Sequence, residues 1–159
     1  MTKTLRCAVA GAITALCLLP AGASAAPRDL WATVNICDTK KNPDMLGIRA
    51  RMPGTAKRER MYMRFTAQFR KKGRWRAVDN GRSRWIKAGS AQNEFQERGF
   101  TFPIRAGEGA SFLLRGYVEF QWRKGGRVTK RLTRVTTGGH PTRSADPRGF
   151  TAARCRIEA

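Results

Sequence analysis

MYMRFTAQFR, residues 61–70, decides the fold. Met61, Met63, Phe65, Ala67 and Phe69 alternate with Tyr62, Arg64, Thr66, Gln68 and Arg70. A period of two belongs to a strand with one face in a core and the other toward water, because successive side chains of an extended chain point to opposite sides.

The same period recurs on both sides of this stretch. LGIRARM (46–52) sets Leu46, Ile48, Ala50 and Met52 against Gly47, Arg49 and Arg51. SFLLRGYVEFQW (111–122) sets Phe112, Leu114, Val118, Phe120 and Trp122 against Arg115, Tyr117, Glu119 and Gln121. Further strands are predicted at 30–37, 74–78, 84–87, 99–104, 128–137 and 150–157. Gly125-Gly126 suits a two-residue hairpin turn, which requires positive φ, and Asn80-Gly81 offers a second. QNEFQERG (92–99), with Glu94 and Glu97 three apart, fits a short helical turn or a loop at least as well as a catalytic carboxylate pair. No segment carries a 3.6-residue apolar stripe. Seven to nine short strands with frequent turn signals predict an all-β protein, a sandwich or barrel. RVTKRLTRV (127–135), with Arg127, Lys130, Arg131 and Arg134, reads as an edge strand that charge protects from pairing. One detail conflicts with simple alternation: if Leu30, Ala32, Val34 and Ile36 face inward, Cys37 faces outward. A bulge, or a disulfide at the rim of the sheet, is expected there.

The N-terminus sets the compartment. Lys3 and Arg6 precede an apolar run from Cys7 to Leu19, and Ala23-Ser24-Ala25 supplies small residues. That is the pattern of a cleaved signal peptide, residues 1–25, with the cut between Ala25 and Ala26. The run ends at Pro20, short of the roughly 20 apolar residues of a bilayer span, so no transmembrane anchor is expected. Residues 26–159 then form one domain. Cys37 and Cys155 are the two cysteines left, and an exported pair of this kind oxidises. The expected site residues are therefore a structural disulfide, Cys37–Cys155. The competing arrangement makes Cys37 a nucleophile with His140 as its base. It would leave Cys155 unpaired in an oxidising compartment.

Other chemistry finds few residues to carry it. Four-ligand zinc sites need more Cys and His than Cys37, Cys155 and His140 provide. Asp38 and Asp44 lack the spacing of a calcium loop, and no metal or other cofactor is expected. Neither G-x-S-x-G nor S-x-x-K occurs, and neither does G-x-G-x-x-G or a P-loop. The chain is read as a non-enzyme with no nucleotide cofactor.

The order of elements resembles immunoglobulin-like and fibronectin type III-like domains. MRFTAQFRKKGRWRAV is similar to their central strand, tight turn and following strand, and FTFPIRAGEGASFLLRGYVEFQWRKGGRV to their later strands and closing hairpin. The resemblance implies an immunoglobulin-like β-sandwich. ATVNICDT, IRARMPGT and ADPRGFTAARCRI also look like small secreted proteins of unknown function from high-GC, actinobacterial-type bacteria, a family that implies no activity. Cys37 and Cys155 lie near the chain ends, whereas antibody-type domains bridge two central strands.

Charge is the most extreme property. Thirty-two Lys and Arg face 11 Asp and Glu, a formal charge of +21, and loss of Lys3 and Arg6 with the leader leaves +19. Such a surface attracts polyanions, less so at high salt. For an exported protein these are anionic cell-envelope polymers such as teichoic acids, anionic phospholipid headgroups or extracellular DNA. Solubility alone is the competing account of the same composition. Trp75 stands between Arg74 and Arg76, Trp85 follows Arg84, and Tyr62 and Tyr117 fall beside Arg64 and Arg115 on outward faces. Arg64, Arg74, Arg76, Arg84 and Arg115 are therefore the candidate polyanion-binding residues. Arginine stems lying over aromatic rings as ordinary cross-strand packing explain the same pattern, and that account is preferred.

Overall fold

The structure is a computed structural model and describes residues 29–105 and 107–158. The leader with its Ala25/Ala26 cut lies outside the described residues. Nine strands follow in order: β1 (Trp31–Cys37), β2 (Met45–Pro53), β3 (Arg60–Lys71), β4 (Arg74–Arg82), β5 (Ile86–Ser90), β6 (Phe95–Pro103), β7 (Ser111–Lys124), β8 (Arg127–Val135) and β9 (Cys155–Glu158). No helix occurs among the described residues, so none there is long and apolar enough to cross a membrane. The protein is an all-β sandwich of two antiparallel sheets.

The smaller sheet has the order β1-β2-β6. In the larger, β3 and β7 are long central strands of 12 and 14 residues, paired with each other from Arg60 opposite Arg123 to Phe69 opposite Leu114. Two short strands continue one another along each outer edge: β4 and β5 beside β3, β8 and β9 beside β7. The larger sheet is thus four strands wide and the smaller three. The alternation read from sequence places the core. Leu46, Ile48, Ala50 and Met52 of β2 lie fully buried against Met61, Met63, Phe65 and Ala67 of β3 and Leu114, Val118, Phe120 and Trp122 of β7. The one gap in the apolar series of β7 is Gly116, where a Cβ would come within 2.6–2.9 Å of Thr136 Cγ2 and Ile48 methyl carbons. A close approach between the sheets requires the missing side chain.

Cys37 resolves its conflict through a bulge. Val34 pairs with Ile48 but Ile36 with Gly47, so Asn35 is the extra residue. Beyond it the facing inverts, and Cys37 sits opposite Leu46 on the core side. The backbone groups that a bulge leaves unpaired are satisfied by residues 136–154, which run along the outer edge of β1. Asp146 N donates to Asn35 O, Asn35 Nδ2 to Ser144 O, and Val34 and Ala152 exchange two backbone bonds of 2.9 and 3.1 Å. This covered edge offers no template for a further strand.

Three expectations are corrected. Asn80-Gly81 is no hairpin turn. The β3–β4 turn is Lys72-Gly73, with φ of 48° and 78°, and residues 78–81 form a wide bulge within β4 opposite Ala67. The segment around Glu94 and Glu97 is extended from Phe95 onward as β6, because Glu97 ion-pairs with Arg49 and Arg51 of its neighbour β2. The strand predicted at 84–87 begins only at Ile86, and the one at 150–157 only at Cys155. Gly125-Gly126 is a hairpin turn, with φ of 54° and 81°, and β8 is an edge strand.

Candidate functional site: a cleft with a basic rim

The width mismatch between the sheets creates an opening. At one end of the sandwich the smaller sheet contributes the row Cys37, Leu46, Phe102, and the larger sheet the row Cys155, Leu114, Phe69, Arg76, each neighbour paired across strands. Cys37 and Cys155 close the first position as a disulfide joining the two sheets, with Cα atoms 5.4 Å apart. Packed sheets ordinarily lie about 10 Å apart. This corner is pinched shut, whereas at the opposite corner Arg76, the fourth position of its row, has no counterpart in the smaller sheet and Phe69 beside it is only half-buried.

What remains there is a cleft in two parts that share Phe69 and Asp79. The apolar part, about 480 Å3, is lined by Phe69, Val78, Phe112, Leu114 and Ile104, with Arg105 at its edge. Leu114 and Ile104 are buried and make the floor, while Phe69, Val78 and Phe112 are half-buried and make the walls. Phe69 and Phe112 meet edge to face, with ring centroids 6.1 Å apart. The basic part, about 800 Å3, lies under the β3–β4 hairpin and is lined by Lys71, Lys72, Arg74 and Arg76. A tight turn with both central residues at positive φ brings the two cation-bearing strand ends side by side. All four cations are exposed, and the ion pairs among the described residues use none of them.

The five candidate arginines divide. Arg74 and Arg76 converge on this cleft. Arg84 is exposed between β4 and β5, roughly 20 Å from Arg74 at the rise of a strand. Arg64 and Arg115 lie on the outer face of the larger sheet and are already engaged. Arg64 makes two 2.7 Å bonds to the carboxylate of Glu119 and lies 4.4 Å from the ring centre of Trp85. Arg115 donates to Gln68 Oε1 at 2.8 Å and lies 4.3 Å over Trp75. Arg123, which sequence reasoning missed, covers Tyr62 at 4.3 Å and Trp85 at 5.0 Å. These guanidinium planes and rings form a thin third layer in which stems are packed and charges keep contact with water. Thr66, expected outward, is only 5% exposed within it. Sequence reasoning also passed over Lys71 and Lys72. Their signal was the cation run about the turn glycine, RKKGRWR.

Glu119 holds this layer together, accepting also from Arg82 at 3.0 Å. The Arg64 hydrogen bonds, more than the charge of Arg64 or the exposed Arg82, keep its carboxyl pKa below the usual value. A depressed carboxylate contributes stability that is complete above the unfolded pKa, near 4.5, and is lost as pH falls through the lower folded value. Glu119→Gln is therefore expected to lower the unfolding free energy by about 1.5–3 kcal/mol at pH 7, the range for hydrogen bonds to charged groups. The gap should narrow as pH falls below about 4.5 toward the lower folded value. Urea titrations of both proteins across that range check it, and a gap constant with pH would contradict the assignment.

His140 and Cys37 do not meet. The imidazole stacks on Trp31 with centroids 4.7 Å apart and planes 6° from parallel. Burial, and then the nearby Arg51, push its pKa down. Trp31 and Cys37 are the two ends of β1, roughly 20 Å apart, and the Cys37 sulfur is bonded to Cys155. Asp38 turns back to accept from Asp44 N at 2.9 Å. Asp146 accepts from Thr39 Oγ1 and from Asn42 Nδ2, which lowers its pKa and ties the β1–β2 loop down. No three His, Cys, Asp or Glu side chains gather as metal ligands among the described residues.

Fold and site together define a class: a β-sandwich bonded sheet to sheet by one disulfide, with a cleft at an open corner that is apolar within and cationic at the rim. No family model matches the chain, and neither a curated protein nor a solved structure matches it.

Proposed function

We propose that this protein is an exported, non-catalytic binding module of the immunoglobulin-like type, and that it holds an anionic polymer of the cell envelope through the β3–β4 hairpin. The convergence of Lys71, Lys72, Arg74 and Arg76 on one cleft, with Asp79 as the single carboxylate lining it, carries the reading. Four unpaired cations at a rigid turn give a repeating anion several contacts at once, and each contact releases a counterion. Export is supported by the leader-like residues 1–25 and by the disulfide, which persists in oxidising compartments. The non-catalytic reading is supported by the bonding of the one candidate nucleophile and by its distance from His140. The two-sheet antiparallel architecture agrees with the immunoglobulin-like resemblance.

Retention on an immobilised polyanion such as heparin tests the proposal. Affinity should fall steeply with salt, and replacing the four hairpin cations by Gln should reduce the slope of log affinity against log salt by about 3, near 0.7–0.9 per contact. Removing the same charge elsewhere, at Arg127, Arg131, Arg143 and Arg148, should change the slope far less. Equal effects from both sets would mean that only net charge matters and would overturn the assignment. Retention indifferent to salt would do the same.

A further inference from the structure

We propose that the corner cleft binds a single-chain lipid with an anionic headgroup, its hydrocarbon arm in the apolar part and its headgroup among the hairpin cations. The inference shares Arg74, Arg76, Lys71 and Lys72 with the polymer reading, but it stands on the other half of the cleft, which a polyanion would leave empty.

The apolar half is the feature that needs an occupant. Phe69, Val78 and Phe112 are each only half-buried, although they belong to the apolar side of the larger sheet. Water there touches aromatic and aliphatic carbon on two walls and on a floor of Leu114 and Ile104. Displacing it with methylene groups is favourable in proportion to the area covered. A volume of about 480 Å3 falls within the roughly 300–1,000 Å3 of small-molecule sites. The floor is rigid, because Leu114 pairs with both Phe69 and Cys155 and the disulfide anchors the latter to the other sheet.

Charge selects the kind of apolar ligand. The apolar part adjoins the basic part at Phe69 and Asp79, which line both, and Arg105 lines the apolar part itself. Asp79, shared by both parts, is the only carboxylate among the lining residues. An uncharged hydrocarbon would leave the cations unused. A cationic amphiphile would be repelled. A phosphate, sulfate or carboxylate at the end of one alkyl arm matches both parts, and guanidinium groups such as those of Arg74 and Arg76 can grip its oxygens in pairs. The wide bulge of residues 78–81 supplies the wall that Val78 presents to the arm, so the irregularity in β4 shapes the opening.

Calorimetric titration of the oxidised protein with octyl, decyl and dodecyl phosphate, each below its micelle threshold, tests the proposal. One ligand should bind per chain, and each added methylene should tighten binding about fourfold until the arm fills the cleft. Inorganic phosphate and decyl maltoside should each bind at least tenfold more weakly than decyl phosphate, and decyltrimethylammonium should not bind. Val78→Ser should weaken decyl phosphate several-fold and leave heparin retention unchanged, whereas Arg76→Gln should weaken both. Chemical-shift changes in a heteronuclear spectrum should centre on Phe69, Val78, Ile104 and Phe112. Affinity independent of chain length, or equal for inorganic phosphate, would overturn the lipid assignment and leave the polymer reading intact. Equal binding of the ammonium amphiphile, or shifts on the outer face of the larger sheet, would overturn it as well. Heparin retention that ignores salt, beside chain-length-dependent binding of the phosphates, would instead remove the polymer reading alone.

Discussion

Replacing Cys37 and Cys155 together by serine lowers the unfolding free energy by about 4–5 kcal/mol. The bond closes a loop of 118 residues, and holding two such distant points together removes conformational freedom mainly from the unfolded chain, where it costs the folded state nothing. Domains of this size are stable by about 5–15 kcal/mol, so the double variant should lose about a third or more of its stability. Its melting temperature should drop by roughly 10–20 °C. Denaturant titration of the oxidised protein and the double variant measures the difference. Loop entropy is not the sole contribution, since the bond also pins one corner of the sandwich while the opposite corner stays open. Hydrogen exchange should therefore rise first in β9 and at the Cys37 end of β1, and not in the centres of β3 and β7. A loss below about 1 kcal/mol would show that the closed corner is held by packing alone.

Trp122→Ala removes about 3–5 kcal/mol. Trp122 is 0% exposed and pairs with Met61 across the central strands. Its indole Nε1 donates to Pro53 O at 3.3 Å, which links the larger sheet to the end of β2 in the smaller. Truncation leaves a cavity that rigid strands on both sides cannot collapse into, and it strands the Pro53 carbonyl without that donor. Trp122→Phe separates the two contributions: it keeps most of the volume and loses the hydrogen bond, and about 1–2 kcal/mol is expected. Cys155 pairs at Leu114, eight residues along β7 from Trp122, so the two sites are roughly 26 Å apart at strand rise and their losses should add. The combined loss of about 7–10 kcal/mol is comparable to the whole stability of an ordinary domain, about 5–15 kcal/mol, so the combined variant should be the least stable of the set by the sum of the two single losses. A combined loss smaller than the sum of the two measured singly would show that the two sites are coupled.

Much of the fold was legible because strand periodicity is a local property. The alternation over 61–67 and 46–52 places in the core the apolar side chains that the structure buries, Phe69 being only half-buried and Thr66 covered on the outer face, and Gly125-Gly126 marks a turn because two adjacent residues without Cβ adopt positive φ without strain. The misfit of Cys37 with that alternation announced the bulge at Asn35. Asn80-Gly81 misled because the dipeptide signals a local reversal of direction, and a bulge uses the same left-handed backbone, here at Asn80 with φ of 56°, as a hairpin does. Glu97 misled because its partners Arg49 and Arg51 are some 46 residues away in sequence. Nothing within QNEFQERG shows that a neighbouring strand will supply them.

The site was the least legible part. Arg64 and Arg74 look alike in sequence, each one residue or a few from an aromatic ring, yet one is locked to Glu119 and the other faces open water. That difference is set by which strands become neighbours. The amino-acid sequence by itself determined the all-β class, the buried face of each long strand and an excess of positive charge, since these depend on side-chain order and composition alone. The tertiary structure decided that a sheet four strands wide would meet one three strands wide, leaving Arg76 uncovered and Phe69 half-buried. The physical reason is that a cleft is bounded by residues far apart along the chain, and only the packing of whole sheets brings their edges into register.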